Sequence, residues 1–167
     1  MDLTPIFKQL TELLSQELEL YTKLIKSATC INQSIKEDSI ELLNDSSKAY
    51  DEQIWLVDKL EEKRIDICNT LCNKLNLPHS VRLSKLLQFA PTQFCSNLEK
   101  VSAELKESAK KLSEINTSNR ILLEESLVIM NNSFDLIKQS TRCANGYKKR
   151  GKQNYSPTGV AVINQVI

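Results

Sequence analysis

The sequence predicts an all-α fold: an elongated antiparallel bundle of three long helices plus one short helix, ending in a flexible C-terminal tail. Two observations predict it. All three glycines, Gly146, Gly151 and Gly159, fall in the last 22 residues, and between Pro5 and Gly146 the only strong breakers are Pro78 and Pro91. Such sparse punctuation implies few, long helices. Apolar residues also recur at threes and fours through most of the chain, which is the period of a helix with one buried face. Only the last stretch, GVAVINQVI, offers an alternating pattern that competes.

The elements follow in chain order. Thr4 suits an N-cap with Pro5 at the first helical position, where a missing N–H costs nothing. The stripe Ile6, Leu10, Leu13, Leu14, Leu18, Tyr21, Leu24, Ile25, Ala28, Ile31 and Ile35 then defines the first helix. It loses register near KEDS, where Asp38 and Glu41 have the spacing of a capping box that starts a second helix. The stripe of that helix is Ile40, Leu43, Ser47, Tyr50, Ile54, Val57, Leu60, Ile65, Cys68, Leu71, Cys72 and Leu75. Trp55, the one tryptophan, flanks Ile54 and reads as packing, or as an interface anchor. NLPHS ends the helix, and Ser80 suits the cap of a short helix through Phe89. Pro91 opens the last helix, with the stripe Leu98, Val101, Leu105, Ala109, Leu112, Ile115, Asn119, Leu122, Ser126, Met130, Phe134 and Ile137. A short turn makes the first two helices antiparallel neighbours, and the last must lie along them.

A length of 167 residues suits one domain, here a helical domain over 1–140 and a tail over 141–167. No segment reaches about 18 uninterrupted apolar residues, so no transmembrane helix is expected. MDLTPIFKQL carries an acid rather than a basic region before an apolar stretch, so it does not read as a signal peptide, and the cytoplasm is the expected location. The five cysteines, Cys30, Cys68, Cys72, Cys95 and Cys143, are irregularly spaced. In a reducing compartment they are free thiols packed as small apolar residues. Cys68, Cys72 and His79 fall short of the four ligands of a closed zinc site. His79, the sole histidine, sits beside Pro78 in a turn, without a sequence signature of a nucleophile–base pair. No glycine precedes residue 146, which excludes a phosphate-cradling loop before it. Catalytic residues, a metal and a cofactor are therefore not expected, nor is a small-molecule substrate: the protein is not read as an enzyme.

Charge is uneven. Lys138, Arg142, Lys148, Lys149, Arg150 and Lys152 form a basic segment without an acid. Removing those six from the total of 22 leaves 16 basic residues against 21 acids over residues 1–137, a net of −5. Tyr147 among the lysines of GYKKRGK has the composition of a nucleic-acid contact, yet the body is acidic and no nucleic-acid module fits. The segment reads as a solvated linker or a docking strip. Beyond it, six of the last eight residues are apolar. From residue 119 the last helix is also apolar over more of its circumference, through Ile121, Leu122, Leu123, Leu127, Val128, Ile129, Met130, Phe134, Leu136 and Ile137. A helix of that kind needs a second partner: the first helix, another copy of the chain, or a different protein.

Residues 112–138, LSEINTSNRILLEESLVIMNNSFDLIK, resemble the late helix of the FlgN family of flagellar export chaperones. The family pattern of leucine with asparagines, then LL-E, then further asparagine is matched by Asn116, Asn119, Leu122, Leu123, Glu124 and Asn131. Tyr155 and Gly159 in YSPTG are similar to the family's tail motif, with Ser156 where YG is common. LTELLSQELELYTKLIKSA and VDKLEEKRIDI suit its N-terminal hairpin, with Glu37-Asp38-Ser39 where glycine-aspartate is frequent. The resemblance implies a cytoplasmic chaperone that binds hook-associated proteins of the hook–filament junction, prevents their premature assembly and delivers them to the type III export apparatus. It implies a client-binding surface on Leu122, Leu123, Leu127, Met130, Phe134 and Ile137, continued in the tail by Val160, Val162, Ile163, Val166 and Ile167. It also implies an export-gate contact through Tyr155 and Gly159. The chain is expected to be a monomer or a homodimer, and the competing expectation is a structural helical protein that homodimerises through residues 119–137.

Overall fold

The computed structural model describes residues 3–79 and 81–144, with side chains up to residue 140. Helix α1 spans Thr4–Lys36, α2 Ile40–Leu75, the one-turn α3 Leu83–Leu86, and α4 Thr92–Ala144, with a 3-10 turn at Leu87–Phe89 between α3 and α4. There is no strand among the described residues. By compactness the chain divides after Leu127.

In the first unit α1 and α2 pack side by side along their length. Leu98 of α4 joins the core near the start of α1, while Asn119 bonds to Ala28 further along it. The three long helices therefore run up, down and up, as the period predicts. Ile6, Phe7, Leu10 and Leu14 meet Leu71 and Cys72 of α2, Leu86 of α3, and Leu98 and Val101 of α4. The short α3 closes this end of the bundle by placing Leu86 fully inside it.

Both hairpin helices end in the same way. Among the described residues, Asp38 and Asn76 are the two non-glycine residues with positive φ, at 53° and 52°. The Ser39 N–H donates to the Ser34 carbonyl and the Asp38 N–H to Ile35; Leu77 and Asn76 repeat the pair on Cys72 and Asn73. These are Schellman ends, which favour glycine at the left-handed position. Asp38 is thus the stop of α1 and not the capping box of α2. Ser39 takes the N-cap position of α2, and no side chain caps it. Asp38→Gly is expected to raise stability by about 0.5–1 kcal/mol, because glycine removes the left-handed strain. A rise in the urea midpoint with an unchanged m-value would show it.

Other boundaries shift as well. Leu3, not Thr4, precedes α1, and its carbonyl accepts from Ile6 and Phe7. Arg82 precedes α3, and Ser80 lies outside the described residues. Along α2 the seam slips off the predicted stripe. Ile40, Ile54 and Ile65 are exposed. Gln53 and Arg64 face α1 instead: the Ser27 hydroxyl donates to Gln53 and Arg64 reaches Glu17. Trp55 is not packed; it is 60% exposed. Cys72 is buried as expected, Cys68 and Cys95 are half-buried, and Cys30 is exposed.

The Glu17–Arg64 pair is the charged contact of the α1–α2 seam, with Nε to Oε1 at 3.0 Å and the Glu17 side chain only 7% exposed. Arg64 also binds Glu61 at 2.8 Å. Burial pushes the Glu17 carboxyl above its usual value of 4.5, by more than Arg64 pulls it down. Burial works against the Arg64 charge too, but the Glu17 and Glu61 carboxylates outweigh it and hold its proton. A raised carboxyl pKa means the folded state prefers neutral Glu17. The resulting stabilisation is fully present below pH 4.5 and is lost as pH rises through the folded value. Wild type should therefore gain stability relative to Glu17→Gln as pH falls from 7 towards 4.5. Paired urea titrations across that range read the change, and a constant difference would refute it.

Candidate functional site on helix α4

The start of α4 is held by the apolar core through Leu98 and Val101, and further along, at residues 116–119, polar contacts anchor it. Asn119 is buried at 6% exposure. Its Nδ2 donates to the Ala28 carbonyl at 2.9 Å and its Oδ1 accepts from Asn32 Nδ2 at 2.8 Å. Asn32 also reaches the Ser118 hydroxyl, and Asn116 Nδ2 donates to the Tyr50 hydroxyl at 2.7 Å. About one turn of α4, residues 116–119, is thus pinned to α1 and α2 by side-chain amides. Buried amides of this kind are stable only when paired, and among the described residues no buried side-chain polar atom lacks a partner. The stripe showed Asn119 at a core position, but nothing in the residue pattern pairs it with Ala28 and Asn32, or Asn116 with Tyr50.

Past this anchor the burial ends. Leu122 is half-buried, and every residue from Leu123 to Ser140 is exposed. At the end of the first unit Leu123 is 40% and Leu127 52% exposed. In the second unit Met130, Phe134 and Ile137, spaced four and three apart, share one face of the helix. They are exposed by 48%, 42% and 59%. Val128, Ile129 and Leu136 form a second exposed row on the opposite face. Between the rows lie Glu124, Asn131, Asp135 and Lys138, with Lys138 placed 3.7 Å from Asp135. Among the described residues both rows are exposed. Contiguous apolar surface on this scale marks an interaction site.

The remaining candidate residues, Tyr155, Gly159, Val160, Val162, Ile163, Val166 and Ile167, lie outside the described residues, as does most of the basic segment. His79 is exposed, with Nδ1 3.0 Å from Asn69 Oδ1. No group of three His, Cys, Asp or Glu side chains suited to a metal occurs among the described residues. No helix among them is long and apolar enough to cross a membrane.

No curated protein and no solved structure matches the chain. The family described as FlgN protein matches it over residues 1–155. That span takes in the hairpin, the amide anchor and all of the exposed rows on α4, and stops short of the apolar end at 160–167. Matched over more than nine-tenths of its length, this chain of long helices, with an apolar stretch of α4 exposed among the described residues, belongs to the FlgN family of flagellar export chaperones.

Proposed function

We propose that this chain binds hook-associated proteins of the hook–filament junction in the cytoplasm, prevents their premature assembly and delivers them to the flagellar export gate. The observation that supports it most is the exposed apolar surface of α4. Client helices that would otherwise self-associate can lay their own apolar face on Leu122, Leu123, Leu127, Met130, Phe134 and Ile137, in the helix-in-groove mode. Val160, Val162, Ile163, Val166 and Ile167 extend that surface, and Tyr155 with Gly159 contacts the export gate.

Co-purification with a junction protein, using the full chain and a chain lacking residues 140–167, tests this reading. Capture should weaken sharply on truncation; unchanged capture would remove the tail from the site. The same exposed rows also favour a second reading, a homodimer through residues 119–137. Sedimentation separates the two, since a chaperone should be monomeric when free and form a defined complex with its client. A tight dimer that excludes the client supports the second reading.

A further inference from the structure

The α1–α2 hairpin has another uncovered feature. Leu20 of α1 and Trp55, Leu56 and Leu60 of α2 line an open groove of about 530 Å³ to which no described side chain of α4 contributes. Ala28, Asn32 and Tyr50, which hold α4, take no part in it. Trp55 and Leu56 are 60% and 43% exposed. An exposed tryptophan in an apolar groove has the make-up of a binding hot spot. Its rim carries Lys23, Lys59 and Lys63 against the single carboxylate Glu19. Lys59 is shared with Glu62 at 2.8 Å, a surface pair that contributes little.

We propose that this groove docks an amphipathic helix of a partner protein, one whose apolar stripe is flanked by carboxylates. The shape argues for a helix: two long antiparallel helices leave a channel that a further helix fills, as in helical bundles. The charge argues for acidic flanks. Three lysines rim the groove in a body whose first 137 residues carry a net charge of −5. Lysine stems lie along apolar surface while their ammonium groups meet carboxylates beside it, the pairing that selects partners in coiled coils. A bilayer fits less well, since the site is concave and the acidic body is repelled by anionic lipid. The lining spans about two turns of each helix, so the interface is small and exchange is fast. The groove shares no residue with the α4 surface, so the inference stands apart from the client-binding reading.

Trp55 is the only tryptophan, so its emission reports on the groove directly in the full chain. The probe is a synthetic three-heptad helix of leucine and glutamate without aromatic residues. Controls are its lysine counterpart and phosphatidylglycerol vesicles. The acidic peptide should give a saturable blue shift, and the basic one should bind at least about tenfold more weakly. Lys59→Glu with Lys63→Glu, both on the surface, should reverse that preference without altering the thermal midpoint. Equal shifts with both peptides, or a shift only with vesicles, would overturn the proposal. So would emission that depends on protein concentration, which assigns the groove to a second copy. Emission that changes on removal of residues 154–167 would assign it to the chain's own tail and equally overturn it.

Discussion

Met130→Glu combined with Phe134→Glu is expected to weaken capture of a junction protein by at least about 100-fold while leaving the thermal midpoint in place. Both side chains are close to half exposed, so the folded chain loses little when they become charged; surface substitutions typically change stability by less than about 0.5 kcal/mol. In a complex the same positions would be desolvated, and central interface anchors cost about 2 kcal/mol or more each on removal. A buried, unpaired carboxylate adds to that. Ile129→Glu, on the opposite row of α4, identifies the face in use. If it abolishes capture and the double variant does not, the client lies on Val128, Ile129 and Leu136. If none of the three substitutions changes binding measured by titration calorimetry, α4 is not the client surface.

Leu98→Ala is expected to destabilise the fold by about 3–4 kcal/mol, within the range for a fully enclosed leucine. Leu98 is 0% exposed and sits where α1, α2, α3 and α4 meet. At about 2–4 °C per kcal/mol for a chain of this size, the melting temperature should fall by about 10 °C. Leu127→Ala removes the same atoms from the same helix, but Leu127 is 52% exposed, and the expected change stays within about 0.5 kcal/mol. Calorimetry on the two variants compares a buried and an exposed position of α4 at constant chemistry. Equal losses would mean that Leu127 is covered in solution, as a dimer through α4 would require.

Much of this architecture is legible in the residues. Glycine and proline set the number of helices, and the α1 stripe from Ile6 to Ile35 names most of the face it buries. Legibility fades along α2 because its seam is mixed. Gln53 and Arg64 hold positions that an apolar count assigns to Ile54 and Ile65, and a polar residue enters a seam only when its partner, here Ser27 or Glu17, is in reach. No single sequence displays such a partner. The α1–α2 turn misleads for a related reason: Asp38 has the spacing of a helix start, yet its backbone conformation makes it a helix stop. On α4 the excess of apolar residues is plain in the sequence, but their exposure is not.

The amides of Asn116 and Asn119 have a consequence for α4 as a moving part. Leucine against leucine is nearly indifferent to sliding by one helical turn of about 5.4 Å, since apolar contact has no direction. An amide aimed at the Ala28 carbonyl has one seat. Asn119 therefore works as an index pin: it fixes which residue of α4 is the last to be covered, and so keeps the length of sticky helix constant from one molecule to the next. A seam of pure leucine would hold α4 at least as strongly and would let that length drift.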